Sequence, residues 1–419
     1  MKYDRRVRAH RFKAHRVRAA RLVGLLSALS LCSCAHNGVR DGDLLFREGA
    51  PLDPVADLTA LQIERDLALL DYALDHAYGG RRFVPPKALD EARARLHRIR
   101  RGSAAFGSRD LCHEVDLALL LLPDNHLMAN AGGSLCSDER RALLAEGRVG
   151  RNLGAGSDRP WTLVTRAVAG AAVPVLSITR LPPAQDDAWA GFEEEVTRLV
   201  ASSPALVLDI RGNGGGADSM MNRLARQLYG HEAPGTVESR TIRQTPATFA
   251  LQVNQNAVQV VRRRQQGEEP PSWLRDHLRG AEQDYARAVR GELPPERVVT
   301  DEEQRLPDAS HGYDRPIYVL VDHGCASSCE SIVELLRAHP RVTFVGENTG
   351  GFVHFGNLGL LVLPGSRVFV QIPSDYWRLR GGRYVERVGY APDVRVAPGK
   401  DALEVVLRVF EESQRRPTP

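Results

Sequence analysis

The sequence contains the stretch Pro316-Ile-Tyr-Val-Leu-Val-Asp-His-Gly-Cys-Ala-Ser-Ser-Cys-Glu-Ser-Ile-Val-Glu-Leu-Leu336. It begins with an uninterrupted apolar run of strand length, passes through a turn of small residues and ends in an amphipathic helix. A fully apolar strand that leads into a helix is typical of a parallel sheet covered by helices. Ser327 lies at the junction. A helix N-terminus there stabilises developing negative charge, although N-capping of the helix is by itself a sufficient reason for a serine.

Short runs that suit strands alternate with helical stretches on both sides of this segment. The strand candidates are residues 161–165, 173–178, 205–210 and 342–345. The helix candidates are residues 187–201, 217–229 and 327–339. This order predicts an α/β domain over residues 148–410, with a mostly parallel sheet and helices that cover it.

The remaining parts of the chain differ in composition from this domain. Residues 53–147 show helical spacing of apolar residues and predict a helical N-terminal cap, preceded by a linker over residues 34–52. Residues 236–310 are polar and rich in Arg and Gln, so we interpret them as an insertion on the surface. Residues 411–419 are predicted to form a tail.

Composition and charge exclude several classes of protein. With 419 residues, 43% of them hydrophobic, the chain is long enough to bury a large core. No window reaches the roughly 18 consecutive apolar residues of a membrane-spanning helix, which excludes a polytopic membrane protein. The net charge of +4 comes from the first 33 residues, which contain nine Lys or Arg and one acid. The rest of the chain has more acidic than basic side chains, so no nucleic-acid partner is expected.

The N-terminus has the order of an export signal, with a basic stretch to Arg21, a short apolar run and small residues before Cys34. Leu31-Cys-Ser-Cys34 resembles a bacterial lipobox, which implies that residues 1–33 are removed as a signal peptide and that Cys34 is lipidated. The resemblance implies a location in the cell envelope, facing the periplasm and anchored to the outer membrane by this lipid alone. A basic nucleic-acid arm followed by a core helix is the alternative interpretation.

Four cysteines lie in the body of the chain. In an exported protein they are disulfide candidates, and four cysteines allow three connectivities. Proximity in the sequence weakly favours Cys112–Cys136 and Cys325–Cys329. A zinc site that uses His323, Cys325 and Cys329 is the alternative, but it lacks a second pair of ligands at the usual spacing. No metal site is therefore expected.

A second candidate for a functional site is the segment Leu208-Asp-Ile-Arg-Gly-Asn-Gly-Gly-Gly216, which lies between a buried strand and a helix. Consecutive glycines let backbone N–H groups approach a ligand, and the helix N-terminus adds positive potential. Such a backbone suits a phosphate or the oxyanion of an acyl-transfer intermediate, although a tight turn needs the same residues. The spacing lacks the Gly-Lys-Ser/Thr of a phosphate-binding loop and matches a dinucleotide fingerprint poorly. No cofactor is expected.

Four segments together resemble the S41 serine peptidases over roughly residues 170–400. They are Val207-Leu-Asp-Ile-Arg-Gly-Asn-Gly-Gly-Gly216, Cys325-Ala-Ser-Ser-Cys-Glu330, Val345-Gly-Glu-Asn-Thr-Gly-Gly351 and Glu386-Arg-Val-Gly-Tyr-Ala-Pro-Asp393. This family comprises the tail-specific processing proteases and the tricorn-type core. The resemblance implies a ClpP/crotonase-like α/β core and a peptide or unfolded protein as substrate.

The resemblance implies that Ser327, three residues before Glu330, is the nucleophile. The processing proteases of the family pair their serine with a lysine, but Phe352 stands at the corresponding position of this chain. Lys87 and Lys400 are the only lysines beyond the predicted signal peptide, and neither lies in a suitable segment. The chain is therefore more similar to the Ser–His–Glu branch of the family.

In that branch the histidine lies in a Leu-x-Asp-x-His motif, which matches Leu122-Pro-Asp-Asn-His126. An imidazole is suited to accept the serine proton and later to protonate the leaving amine. By the same resemblance Glu386 is expected to orient the imidazole. His354 is the rival base. The non-catalytic interpretations are a capping histidine at position 126 and a surface carboxylate at position 386.

The sequence thus predicts an exported serine endopeptidase that forms an acyl-enzyme without a metal or cofactor. Its oxyanion donors are expected to be the Ser328 amide and one of the glycines, Gly214 or Gly215. The distance in sequence between His126 and Asp209 leaves no room for a peptide-binding PDZ domain. Two other functions stay open: a non-catalytic ligand- or peptide-binding protein on the same scaffold, and an esterase with the same three residues.

Overall fold

The computed structural model describes residues 38–47, 49–101, 106–145, 159–231, 235, 237–300, 312–397 and 399–415. The predicted signal peptide and the predicted lipidation site at Cys34 lie outside these residues, as do parts of the predicted linker and tail. The described residues all fall within one compact unit, His36–Pro419. The predicted boundary between the cap and the α/β domain stays a prediction.

The elements are numbered here in chain order. Within the described residues the helices are α1 (Ala60–His76), α2 (Pro86–Arg101), α3 (Ser108–Leu119), α4 (Asp138–Ala145), α5 (Phe192–Ser202), α6 (Ser219–Tyr229), α7 (Pro246–Gln265), α8 (Ser272–Val289), α9 (Ser328–Leu336) and α10 (Ala402–Arg415). The strands are β1 (Met128–Ala131), β2 (Ser134–Leu135), β3 (Trp161–Val168), β4 (Ala171–Ile178), β5 (Leu206–Asp209), β6 (Val237–Arg243), β7 (Glu296–Thr300), β8 (Ile317–Val321), β9 (Val342–Gly346), β10 (Phe355–Val362), β11 (Val368–Leu379) and β12 (Val394–Arg395). None of the described helices combines the length and the apolar character needed to cross a membrane.

The first sheet, called here the central sheet, has the strand order β12-β9-β8-β5-β4-β3. Its strands from β4 to β12 pair in parallel, and only the edge strand β3 is antiparallel to its neighbour. The mostly parallel sheet predicted from the alternation of strands and helices is confirmed.

Side chains of the central sheet point alternately into two apolar layers. In β5, Leu206 and Leu208 belong to a buried cluster with residues of α5, α6 and α9. Val207, between them, belongs to a second cluster with α10. Because successive strand residues face opposite sides, a continuously apolar strand such as β8 supplies both layers. Helices therefore cover the central sheet on both faces.

The second sheet is antiparallel and has the order β2-β1-β11-β6-β7, with β10 paired to β11 as well. Helices α1, α2 and α3 contribute most of the buried residues that pack with this sheet in a third cluster. The predicted helical N-terminal part is present, and it packs against strands that come from much later in the chain.

The surface insertion expected over residues 236–310 needs correction. Strands β6 and β7 of this segment extend the antiparallel sheet. Helix α7 buries Ala247, Ala250 and Leu251 in the same cluster as α1. Their spacing of one, three and four residues puts them on one helix face, and this face is apolar although the segment as a whole is polar.

The two segments singled out in the sequence lie side by side. Strand β5 leads through the glycine-rich loop into α6, and β8 leads through a short turn into α9. The two strands pair in parallel, with Asp209 opposite Leu320. The carboxyl ends of neighbouring parallel strands meet at one edge of a sheet, which is where α/β proteins commonly bind ligands.

Candidate active site

The structure brings His126 and Ser327 together. His126 Nε2 lies 2.9 Å from Ser327 Oγ, although the residues are 201 positions apart in the sequence. His126 lies in the loop between α3 and β1, and Ser327 immediately precedes α9. The imidazole is 5% exposed, and the serine is partly buried. The pair therefore has the geometry that a nucleophile and a general base require.

Ser327 has an unusual backbone conformation, with φ of 57° and ψ of −125°. A positive φ is rare for residues other than glycine and costs on the order of 1–3 kcal/mol. The neighbouring backbone holds this conformation in place. The Ser327 amide donates to Glu330 Oε2 (3.2 Å), and the Ala326 amide donates to the Asn213 carbonyl (3.0 Å). Such a strained serine at a strand-to-helix turn presents its hydroxyl away from the helix that follows.

A disulfide joins Cys325 to Cys329, and so encloses Ser327 within a five-residue loop. Because both sulfur atoms are bonded to each other, neither is a thiolate that could bind zinc, and the zinc alternative is wrong. The other disulfide joins Cys112 of α3 to Cys136, which follows β2. These are the two pairs that proximity in the sequence favoured.

Glu330 anchors the turn around Ser327, a role that was not predicted from the sequence. Its side chain is fully buried. Besides the Ser327 amide, Oε2 accepts a hydrogen bond from the Phe352 amide (2.6 Å). Oε1 accepts hydrogen bonds from Thr349 Oγ1 (2.5 Å) and the Gly351 amide (2.9 Å). Burial raises the pKa of Glu330 to about 7. The Ser-x-x-Glu spacing, which is also that of a capping box, was the available signal.

Two buried carboxylates hold the loop that carries His126. The amides of His126 (2.9 Å) and Leu127 (3.1 Å) both donate to Asp124 Oδ1. The preceding amide, that of Asn125, donates to Glu386 Oε1 (2.9 Å). Three consecutive backbone N–H groups are thus bound by two side chains.

Glu386 was predicted to orient the imidazole of His126, but its carboxyl oxygens bind backbone amides instead. Its Oε2 accepts hydrogen bonds from the amides of Val353 (3.0 Å) and His354 (2.9 Å). Both oxygens are therefore occupied by backbone groups. His126 Nδ1 is buried and has no side-chain partner within the described part of the chain. Burial and then the charge of Asp124 raise the pKa of Glu386 to about 8.

His354 is not available as the base, which corrects the rival assignment. Its Nδ1 lies 2.8 Å from the Trp377 carbonyl, and its Nε2 accepts a hydrogen bond from the Val385 amide (3.0 Å). The proton must therefore be on Nδ1, and both nitrogens are occupied. The ring also stacks on Tyr384, with 4.5 Å between the ring centroids. His354 is a structural residue in this arrangement.

The surroundings of His126 keep the imidazole neutral. Burial lowers its pKa to about 4, and a weaker interaction with the Phe355 backbone acts in the opposite direction. Phe352 packs edge-on against the imidazole, with 5.2 Å between the ring centroids. The residue at the position of the family's lysine thus covers the histidine instead. A neutral imidazole is the form that can accept a proton from the serine.

The backbone amides next to Ser327 differ in availability. The Gly215 amide donates to Asn213 Oδ1 (2.9 Å), so it is not free to bind an oxyanion in this conformation. A Cβ at Gly215 would lie 2.7 Å from the Ala326 carbonyl oxygen. Close packing against this backbone therefore requires a residue without a side chain. The amides of Gly214 and Ser328 donate to no acceptor among the described residues. These two remain as candidate oxyanion donors.

Comparison with known proteins gives a family and a fold. The model of peptidase family S41 matches residues 175–396, more than half of the chain. A putative peptidase from Parabacteroides merdae is similar in structure, with a TM-score of 0.53 and 14% identity over 83% of this chain and 96% of that chain. Mature CPAF complexed with lactacystin has a TM-score of 0.53 and 12% identity over 84% of this chain and 98% of that chain. At these identities the structural likeness concerns the fold alone. No curated protein matches the sequence.

Proposed function

Because this chain belongs to peptidase family S41, we propose that it is a serine endopeptidase with Ser327 as the nucleophile and His126 as the general base. The observation that carries the proposal is the distance of 2.9 Å between Ser327 Oγ and His126 Nε2. The substrate is a peptide or an unfolded segment of a protein.

The reaction follows from these positions. Ser327 Oγ attacks the peptide carbonyl carbon while His126 Nε2 accepts the hydroxyl proton. The tetrahedral intermediate collapses as the imidazolium gives this proton to the leaving amine, and the acyl group stays on Ser327 as an ester. A water molecule, deprotonated by His126, then attacks the ester, and the proton returns to Ser327 Oγ as the acid leaves.

The negative charge of the intermediate needs hydrogen-bond donors. The amides of Ser328 and Gly214 are proposed for this role because neither donates to an acceptor in the part of the chain that the structure describes. The N-terminus of α9 lies at Ser328 and adds positive potential at the same point. Glu386 is proposed to act on His126 through the backbone of Asn125 and not through the ring.

A fluorophosphonate probe tests this function because it phosphonylates an activated serine. We expect the probe to modify Ser327, as seen by mass spectrometry of the modified peptide, and Ser327→Ala to remove the modification. Ser331→Ala, one turn further along α9, is the matched control and should be modified normally. Folded wild-type protein that neither reacts with the probe nor cleaves peptides contradicts the proposal, and favours a binding protein on the same scaffold. Modification together with cleavage of small esters but not of peptides identifies an esterase.

We also propose that the protein is exported and lipidated at Cys34. This proposal rests on the basic-then-apolar order of the N-terminus and on the two disulfides, which are typical of oxidising compartments. Growth of the producing bacterium with a radiolabelled fatty acid should label the wild type and leave Cys34→Ala unlabelled. Equal labelling of the two proteins, or none in either, contradicts lipidation at this residue.

A further inference from the structure

The position of the His126 imidazole depends on the backbone of the loop that carries it. No side chain among the described residues binds Nδ1, the nitrogen that does not face Ser327, and the ring interacts with the backbone of Phe355. Within the described residues, no side chain therefore takes the place of a triad's third residue beside the imidazole. The loop backbone, the Phe355 backbone and the ring of Phe352 together fix the position of the imidazole.

Asp124 binds the backbone of this loop at His126 itself. A single oxygen, Oδ1, accepts the amides of both His126 and Leu127, and the side chain is fully buried. Without this acceptor two buried N–H groups would lose their hydrogen bonds, and the loop would rearrange to find others. Glu386 holds only the preceding amide, that of Asn125.

We propose that Asp124 is a positioning residue, whose carboxyl group fixes the backbone of His126 so that Nε2 stays within hydrogen-bond distance of Ser327 Oγ. The inference rests on the proposed function, since it assigns a role in the same site. In a Ser–His–Asp or Ser–His–Glu triad, the side chain of the third residue orients the imidazole. Here Asp124 has that function, but it acts through the backbone of His126.

The carboxyl groups of Asp124 and Glu386 are close enough to affect each other's ionisation. Burial raises the pKa of both, to about 7 and about 8, and the Asp124 charge adds to the rise at Glu386. The other ionisable groups that face the pair are Tyr78, Arg140, Tyr376, Tyr384 and Arg387. Protonation of the pair weakens the hydrogen bonds to the loop, so activity should fall as the pH decreases through neutrality. The pKa of His126 lies near 4, well below this range.

Two variants distinguish the effect of the hydrogen-bond acceptor of Asp124 from the effect of its negative charge. Asp124→Leu keeps the size but removes the acceptor, and we expect the rate of probe modification at Ser327 to fall by about 100-fold. Asp124→Asn keeps an oxygen acceptor and should recover most of this loss. Asp66→Leu is the matched control, because the fully buried Asp66 likewise accepts two amides, those of Gly365 (2.8 Å) and Ser366 (2.7 Å). It should reduce stability but leave the modification rate close to that of the wild type.

The pH profile gives a readout that loss of stability alone does not change. In Asp124→Asn the charge that raises the pKa of Glu386 is gone, so this pKa falls and the acid limb of the rate profile moves to lower pH. Two results would contradict the claim that the acid limb reports protonation of the Asp124–Glu386 pair. One is a set of rate profiles that superimpose for wild type and Asp124→Asn, and the other is a wild-type acid limb near pH 4.

Three outcomes overturn the positioning role. They are an Asp124→Leu rate equal to that of Asp66→Leu, an Asp124→Asn rate as low as that of Asp124→Leu, and unchanged amide hydrogen exchange at residues 125–127 in Asp124→Leu. The exchange measurement needs no catalytic activity. A wild type that fails to react with the probe, with exchange at these amides accelerated in Asp124→Leu, therefore contradicts the proposed function and still supports the structural basis of the inference.

Discussion

Replacing His126 with Ala is expected to slow acylation of Ser327 by about 10⁴-fold, which corresponds to about 5.5 kcal/mol of transition-state stabilisation. The reason is that His126 Nε2 is at hydrogen-bond distance from the serine, while the nitrogens of His354 are bound to Trp377 and Val385. The measurement is the rate of modification by the fluorophosphonate probe, followed by intact mass at pH 8.

His354→Gln is the comparison that decides between the two histidines. This variant loses the hydrogen bonds of the ring and its stacking on Tyr384, so we expect a lower melting temperature. Acylation of the folded fraction should nevertheless continue at a rate near that of the wild type. The assignment of the base is wrong if His126→Ala reacts normally, or if His354→Gln is folded and unreactive.

Glu330→Ala is expected to lower the free energy of unfolding by about 3–5 kcal/mol. The substitution leaves four donors without their acceptor, namely the partly buried amide of Ser327, the buried amides of Gly351 and Phe352 and the buried hydroxyl of Thr349. It also opens a cavity under the turn. Urea denaturation followed by fluorescence measures the loss. The fraction that stays folded should react slowly with the probe because the strained conformation of Ser327 is no longer held.

Glu334→Ala, one turn further along the same helix, is the matched control. Glu334 is also buried, but its ion pair at 2.6 Å is with Arg383, whose side chain is 47% exposed. Water can therefore replace part of the interaction, and we expect a loss of about 1 kcal/mol with normal probe reactivity. Equal losses in the two variants would show that burial of a carboxyl group, and not its position under Ser327, accounts for the effect.

The central sheet could be predicted because the sequence pattern of each strand and its following helix lies within one short segment of the chain. Strands such as β5 and β8 are short, continuously apolar and followed directly by turns and helices, so each βα unit is visible in about twenty residues. The antiparallel sheet could not be predicted in the same way. Strand β11 pairs with β1, β6 and β10, and β1 and β6 lie more than a hundred residues before it, so no local pattern reports their pairing.

The same distinction applies to the candidate site. The position of Ser327 followed from a strand, a turn and a helix, whereas its pairing with His126 was expected only from the family resemblance. The expected contact between Glu386 and the imidazole was wrong in its geometry, because three backbone amides bind both carboxyl oxygens. Gly215 was a candidate donor because its residue type suits close approach, but its amide is bound by the side chain of Asn213, a contact that no sequence pattern indicates.

The disulfide between Cys325 and Cys329 has a practical consequence for recombinant production. Thioredoxin and glutathione keep such pairs as free thiols in the cytosol of a standard bacterial host. Material made there, or stored with dithiothreitol, has to be compared with material secreted by the host or oxidised after purification. A preparation from a reducing host that shows low activity therefore says little about the native protein until its thiols have been counted.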